Sequence, residues 1–234
     1  AHLKNRREGI SRLAEYAAIH INDTHPSLAI PELMRLLMDE EGLGWEEAWR
    51  ITTETISYTN HTIMPEAMEK WPVDAFRNLL PRIYEIVREI NERFCRELWN
   101  RYPGEWDRIA AMAVIADGYV KMAHLAVVGS HKVNGVAKIH TEILKHEVLK
   151  LFYQFTPDKF VNATNGIDHR RWLLEDNPEL TALITDTIGN SWISQPGDLG
   201  RLEEFGKDEL FQRKLSVVKR EKKTLLAGYI RNKS

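Results

Sequence analysis

The sequence predicts an α/β fold, rich in helix. Three patterns carry that reading. Short apolar runs of strand length end in polar loops, glycine turns are followed by helical periodicity, and an apolar stripe recurs at 3.6-residue spacing over residues 83–99. Tyr16-Ala-Ala-Ile-His-Ile, stopped by Asn22-Asp-Thr-His-Pro, reads as a buried strand feeding a polar loop. A helix is expected next. Pro31 suits a first helical turn, and Leu33, Leu36 and Leu37 then repeat at helical spacing.

After Gly42 and Gly44, residues Trp45, Ala48, Trp49, Thr52 and Ile56 predict a second helix, which the polar stretch Tyr58-Thr-Asn-His-Thr interrupts as a loop. The clearest helix spans about Ile83 to Trp99, with Ile83, Ile86, Val87, Ile90, Phe94 and Leu98 on one face. Pro103-Gly104 breaks the pattern before a further helical segment running to about Ala116. Leu125-Ala-Val-Val-Gly-Ser reads as a compact strand. Asn134-Gly135 then makes a turn into the helical Val136-Ala-Lys-Ile-His-Thr-Glu-Ile-Leu, completing a strand, turn and helix unit. Phe160-Val-Asn-Ala-Thr-Asn-Gly reads as another short strand, with a hinge between Asp158 and Asn165. Beyond it two helices split near Asn177-Pro178, and a long amphipathic helix carries Leu210, Phe211, Leu215, Val218, Leu225, Leu226 and Tyr229.

Charge and composition narrow the function. Lysine and arginine total 32 against 34 acids, so the formal charge of -2 gives no global field for nucleic acid or an anionic membrane. No apolar run approaches the roughly 20 residues of a membrane span. The single cysteine, Cys95, leaves no intrachain disulfide and no thiolate metal cluster, which points to a reducing, cytoplasmic setting. His140 and His146 do not share a helical face neatly, so no metal site is expected there.

The chemistry-bearing residues are grouped. Asn22-Asp23-Thr24-His25 follows a strand, where open α/β sheets place ligand loops, although an Asx turn with a satisfied histidine explains the same residues. Tyr58-Thr-Asn-His61-Thr followed by Met64-Pro-Glu66-Ala-Met-Glu69 offers amide, imidazole and carboxylate groups suited to sugar hydroxyls. Glu66 and Glu69 are three apart and would share a helix face, which argues for a solvated face rather than a hydrolytic pair across a cleft. Gly129-Ser-His131-Lys-Val-Asn134-Gly135-Val136 is neither a dinucleotide nor a Walker pattern, yet its glycines allow backbone to approach a ligand. Asn165-Gly166 before Arg170-Arg171-Trp172 supplies an amide, two cations and an aromatic plane.

In order along the chain, Ile21-Asn-Asp-Thr-His-Pro-Ser-Leu-Ala-Ile-Pro-Glu-Leu-Met-Arg, Tyr58-Thr-Asn-His-Thr-Ile-Met-Pro-Glu-Ala-Met-Glu-Lys-Trp-Pro-Val-Asp, Val128-Gly-Ser-His-Lys-Val-Asn-Gly-Val-Ala and Thr164-Asn-Gly-Ile resemble the middle of the α-glucan phosphorylases of the glycogen and maltodextrin type. The resemblance covers about residues 16–234. It implies part of a two-domain, glycosyltransferase-B-like phosphorylase fold, truncated at both ends. Residues 1–161 would be the second half of an N-terminal α/β domain, and residues 162–234 the incomplete, mostly helical start of a C-terminal domain.

The implied activity of a full-length parent is transfer of an α-1,4-linked glucosyl unit from glycogen or maltodextrin to orthophosphate, giving glucose 1-phosphate, with pyridoxal phosphate as cofactor. His61 and Asn165 match residues that bond the 6-hydroxyl of the reacting sugar. Val136, with Asn134 and Gly135, matches the loop against that sugar. Asp23, Thr24 and His25 match a polar wall beside it, and Trp172 an aromatic beside the cofactor. Asp168-His169 stands where the family has Thr-Pro. No counterpart of the Schiff-base lysine is present, so the 234-residue chain alone is expected to be inactive and to hold no covalent cofactor. The expected partners are α-glucan and orthophosphate, with a homodimeric parent and, for the 234-residue chain alone, self-association through the final helix or local disorder after about Asp208. A non-catalytic glucan-binding module and an unrelated nucleotide-binding α/β protein are the rival readings.

Overall fold

A computed structural model describes residues 9–64, 66 and 68–233. They fall into two compact units, Ala1–Asn165 and Gly166–Ser234.

The first unit is organised by a parallel sheet of β1 (Ile19–Asn22), β2 (Ile56–Thr59), a strand over Lys132–Gly135 and a last strand over Phe160–Asn162, in that spatial order. Each parallel connection needs a crossover, and helices supply it. Between β1 and β2 run α1 (Ala29–Arg35), which continues into a wider π-type turn at Leu36–Glu40, and α2 (Trp45–Thr55). Then come β3 (Lys70–Pro72), α3 (Val73–Leu79), α4 (Pro81–Arg101), α5 (Trp106–Met112), β4 (Ile115–Ala116), β5 (Tyr119–Lys121) and α6 (Met122–Val128). Numbered in chain order, the Lys132–Gly135 strand is β6 and the Phe160–Asn162 strand β7; α7 (Lys138–Ile143) and α8 (Lys150–Phe155) lie between them. β3, β5 and β4 form a separate antiparallel sheet. Its β4–β5 turn is Asp117-Gly118, both at positive φ (54° and 79°), the geometry that an Asp-Gly pair adopts in a two-residue hairpin.

The stripe read from sequence is the buried face of α4: Ile83, Ile86, Val87, Ile90, Phe94 and Leu98 are all at most 8% exposed. They join Ile21, Ile30, Met34, Ile51, Tyr58, Leu125 and Val133 in one core. Asn91 of the same helix accepts the Ile115 amide at 2.9 Å, fixing the entry to β4.

Several sequence expectations are corrected. Leu125–Ser130 is not a strand: Met122–Val128 is helical, with Met122, Ala123, Leu125, Ala126, Val127 and Val128 all buried. An element buried on every side loses the periodicity that separates helix from strand. Tyr58-Thr59 is not loop but the end of β2, and Lys132–Gly135 is not a glycine loop but β6. Asn134 and Thr59 are polar yet 8% and 6% exposed, because their side chains satisfy each other. β1 begins at Ile19 rather than Tyr16, and of its four residues only Ile21 is buried. Glu69 lies in the extended approach to β3, so it shares no helix face with Glu66; Pro65 and Ala67 of that motif lie outside the described residues.

In the second unit, a π-type turn at Arg171–Glu175 precedes α9 (Pro178–Ile188), and 3₁₀ turns at Ser191–Ile193 and Pro196–Phe205 precede α10 (Glu209–Lys233). Asn177 caps α9 by accepting the Leu180 amide, with Pro178 at the first helical position. Trp192, fully buried, packs with Ile184 and Ile188 as the small core of this unit. No strand occurs among its described residues. The division after Asn165 lies beyond the boundary at 161/162 read from sequence. Ala163 and Asn165 still donate their amides to Gly135 O and Val136 O, at 3.2 and 2.9 Å, and so belong with the sheet.

Candidate functional site

Ligand loops of an open parallel sheet gather beyond the carboxyl ends of its strands, and here register brings four such ends level. Asn22 pairs with Thr59, Thr59 with Asn134, and Gly135 with Asn162. The ladder carries on past the strands through Asp23 N–H to Thr59 O (2.8 Å) and Asn60 N–H to Asn134 O (2.9 Å). Asp23, Thr24, His25, His61, Asn134, Gly135, Val136 and Asn165 are thus all placed along one edge by backbone bonding or by immediate succession to it.

Side chains bind these loops to one another. The Thr59 hydroxyl donates to Asn134 Oδ1 at 2.7 Å and is itself bonded to His20 Nε2; the Asn134 amide donates to Gly135 O at 3.0 Å. His61 Nε2 is bonded to Asn22 Oδ1. Since an amide oxygen only accepts, His61 Nε2 is the donor of this bond, which sets the ring and turns its Nδ1 side away from Asn22. Asn60, fully buried, donates to the Tyr58 hydroxyl at 2.9 Å and accepts the Thr62 amide at 3.0 Å. Burial pushes the Tyr58 phenol above its ordinary range, so it stays a neutral hydroxyl.

Beside this edge, Asp23, Thr24, His25, Thr62, Glu66, Glu69 and Trp71 line a cleft of about 770 Å³. Asp23 stands at φ 61°, a left-handed conformation that Asp tolerates when its carboxylate bonds locally. Asp23 Oδ1 accepts the Thr24 amide at 2.8 Å and Oδ2 the Thr62 hydroxyl at 3.3 Å. Glu69 accepts from the Thr24 hydroxyl at 2.6 Å and from Trp71 Nε1 at 2.9 Å, with His25 Nδ1 3.9 Å away. Both carboxylates are oriented by two donors each. The result is a fixed array of amide, imidazole and carboxylate groups, suited to a ligand that offers many hydroxyls.

Asn60 and Glu69 belong to the amide, imidazole and carboxylate group read from sequence, although the bond of Glu69 to Thr24 in place of a shared helix face with Glu66 was not legible there. His140, weighed in the sequence only beside His146, bonds Asn60 Oδ1 through Nε2 at 3.1 Å, a contact across 80 residues that leaves no local signal. Trp172 lies in the second unit, in the Arg171–Glu175 turn, 58% exposed. The unusual Asp168 has a local role: its carboxylate accepts the Arg171 amide at 3.1 Å, and this bond, with the neighbouring arginine charges, holds its carboxyl below the usual range. His169 bonds Ile193 O at 3.2 Å. Among the described residues no group of three potential metal ligands stands together, and no helix is long and apolar enough to cross a membrane.

The sequence pattern of the carbohydrate phosphorylases matches residues 1–234. The chain is 56% identical over 227 residues to glycogen phosphorylase of Bacillus subtilis (strain 168), covering 97% of this chain and 28% of that protein. It is 48% identical to the muscle forms of Bos taurus and Homo sapiens, covering 96% of this chain and 27% of each. The chain therefore spans little more than a quarter of the length of these relatives.

Proposed function

The chain belongs to the carbohydrate phosphorylase family, and from that premise we propose that it forms the sugar-binding wall of a glucan phosphorylase cleft. In that reading the whole enzyme transfers an α-1,4-linked glucosyl unit to orthophosphate and releases glucose 1-phosphate. The observation that supports it best is the level register of the strand ends, which brings His61, Asn134, Val136 and Asn165 to one edge from widely separated stretches of sequence.

The side chains have separable tasks. His61, its ring set by Asn22, offers Nδ1 to the 6-hydroxyl of the reacting sugar, and Asn165 approaches the same hydroxyl. Asn165 is carried by the bond from its amide to Val136 O, so the two ligand-facing residues are mechanically linked. Asn134 and Thr59 bond each other and stiffen the floor. Asp23, Thr24 and His25 bound the adjoining polar cleft, where oriented donors and acceptors replace the hydration of the sugar.

The exposed ring of Trp172, next in sequence to Arg170 and Arg171, fits one side of a planar anionic cofactor such as pyridoxal phosphate. When bound, that cofactor supplies a phosphate group able to exchange protons with orthophosphate.

The test uses the complete phosphorylase polypeptide containing this sequence. His61→Ala and Asn165→Ala should each lower kcat/KM on maltodextrin roughly tenfold to a hundredfold, as expected for losing a hydrogen bond of ~1–3 kcal/mol. Parental kinetics in both variants would reject the assignment.

A further inference from the structure

His140 stands at the junction of two of the loops just described. Its Nδ1 accepts the Val136 amide at 3.1 Å, and its Nε2 lies 3.1 Å from Asn60 Oδ1. An amide N–H can only donate, so Nδ1 carries no proton. Nε2 must then carry the proton and donate to Asn60. The imidazole therefore serves as a two-headed strut, acceptor to one loop and donor to the other.

Its reach extends further on both sides. Asn60 also orients Thr62, the residue after His61, and anchors on the buried Tyr58 hydroxyl. Val136 in turn holds Asn165 through its carbonyl. The helix start that carries His140 is itself seated closely, since Gly135 lies so near Thr141 that an added Cβ would stand 2.6–2.9 Å from it.

We propose that His140, as the neutral Nε2–H tautomer, is a positioning residue that sets the spacing between the His61 loop and the Val136–Asn165 loop. The idea deepens the sugar-site reading and rests on it for its consequence in catalysis. Protonation would place a second N–H on Nδ1, facing the Val136 amide, so that two donors would meet and the strut would fail. The charged or titratable groups acting on the ring are His61, which opposes its protonation, and Asp23, which favours it; partial burial opposes it most. On balance His140 is held below the ordinary histidine range, so the strut is intact at neutral pH.

Two measurements test this separately from the sugar assignment. In ¹⁵N-labelled chain, the His140 ring shifts should report the Nε2–H tautomer at neutral pH. The Val136 amide shift should move with the His140 titration, at a midpoint below that of a free imidazole. In the complete phosphorylase, His140→Phe should lower kcat/KM at least tenfold. His140→Gln, whose amide offers an acceptor and a donor but does not titrate, should recover to within about threefold and lose the parental acid-side decline assigned to this group.

An Nδ1–H tautomer, a Val136 amide indifferent to His140, or a Gln variant as impaired as the Phe variant would overturn the proposal. If the Phe variant does not fold, the labelled chain and the Gln variant still decide. If His61→Ala and Asn165→Ala leave kinetics untouched while the Val136 amide tracks His140, the sugar reading has failed and the strut has not.

Discussion

Gly135 closes β6 against the start of α7, and replacing it with alanine tests how tightly that junction is built. An added Cβ would lie 2.6 Å from Thr141 Oγ1, 2.9 Å from Thr141 Cα and 2.9 Å from Thr141 N. All three are inside the closest separation that carbon normally tolerates. Two of them are backbone, so the clash cannot be relieved by a rotamer change; either α7 or the β6 end has to move. Thr141 is itself pinned, with its single hydroxyl proton shared between two acceptors, Asn162 Oδ1 at 2.8 Å and Ala137 O at 3.0 Å. Overpacking of this kind costs typically 1–3 kcal/mol, and the backbone contacts argue for the upper part, about 2–3 kcal/mol. Urea denaturation of the chain, followed by fluorescence and circular dichroism, would measure it. A double-mutant cycle with Thr141→Ala should show coupling below about 1 kcal/mol, because removing the hydroxyl leaves the backbone clash in place. Gly135→Ala within about 0.5 kcal/mol of the parent would refute the reasoning.

Two further outcomes concern stability alone. His124 is largely buried, donates from Nδ1 to Ala113 O at 2.9 Å and is held down to about 4 by burial, against an ordinary 6.5. A depressed folded-state value means that the unfolded chain binds the extra proton first. The stability tied to neutral His124 is therefore complete above pH 6.5 and is lost as pH falls towards 4, by about 3 kcal/mol. The difference between parent and His124→Phe in denaturation free energy should shrink by that amount over this window, and a pH-independent difference would count against it. In the second unit, Trp192→Ala empties the centre of a small core and should cost ~3–5 kcal/mol. Hydrogen exchange of peptides covering Pro178–Ile188 should lose protection; unchanged protection would show that this core is not held by Trp192.

What the sequence determined by itself was whatever depends on neighbours along the chain. The 3.6-residue stripe from Ile83 to Leu98 identified α4 because a helix with one buried face writes its period into its own residues. The polar runs at Asn22–His25, Tyr58–Thr62 and Asn134–Val136 stood out as candidate ligand loops for the same local reason, and their order along the chain carried the family resemblance. Tertiary structure decided the rest. Met122–Val128 was not legible as a helix because six of its seven residues are buried, so hardly any solvent-facing position marks its period. Thr59 and Asn134 lie inside strands because each satisfies the other's polar group from 75 residues away. Glu69 is drawn to Thr24 across 45 residues and His140 to Asn60 across 80. Contacts of that separation leave no periodic trace in the sequence. They exist only once the parallel register has brought the strand ends level, and an imidazole acquires a fixed tautomer only when both of its partners have arrived.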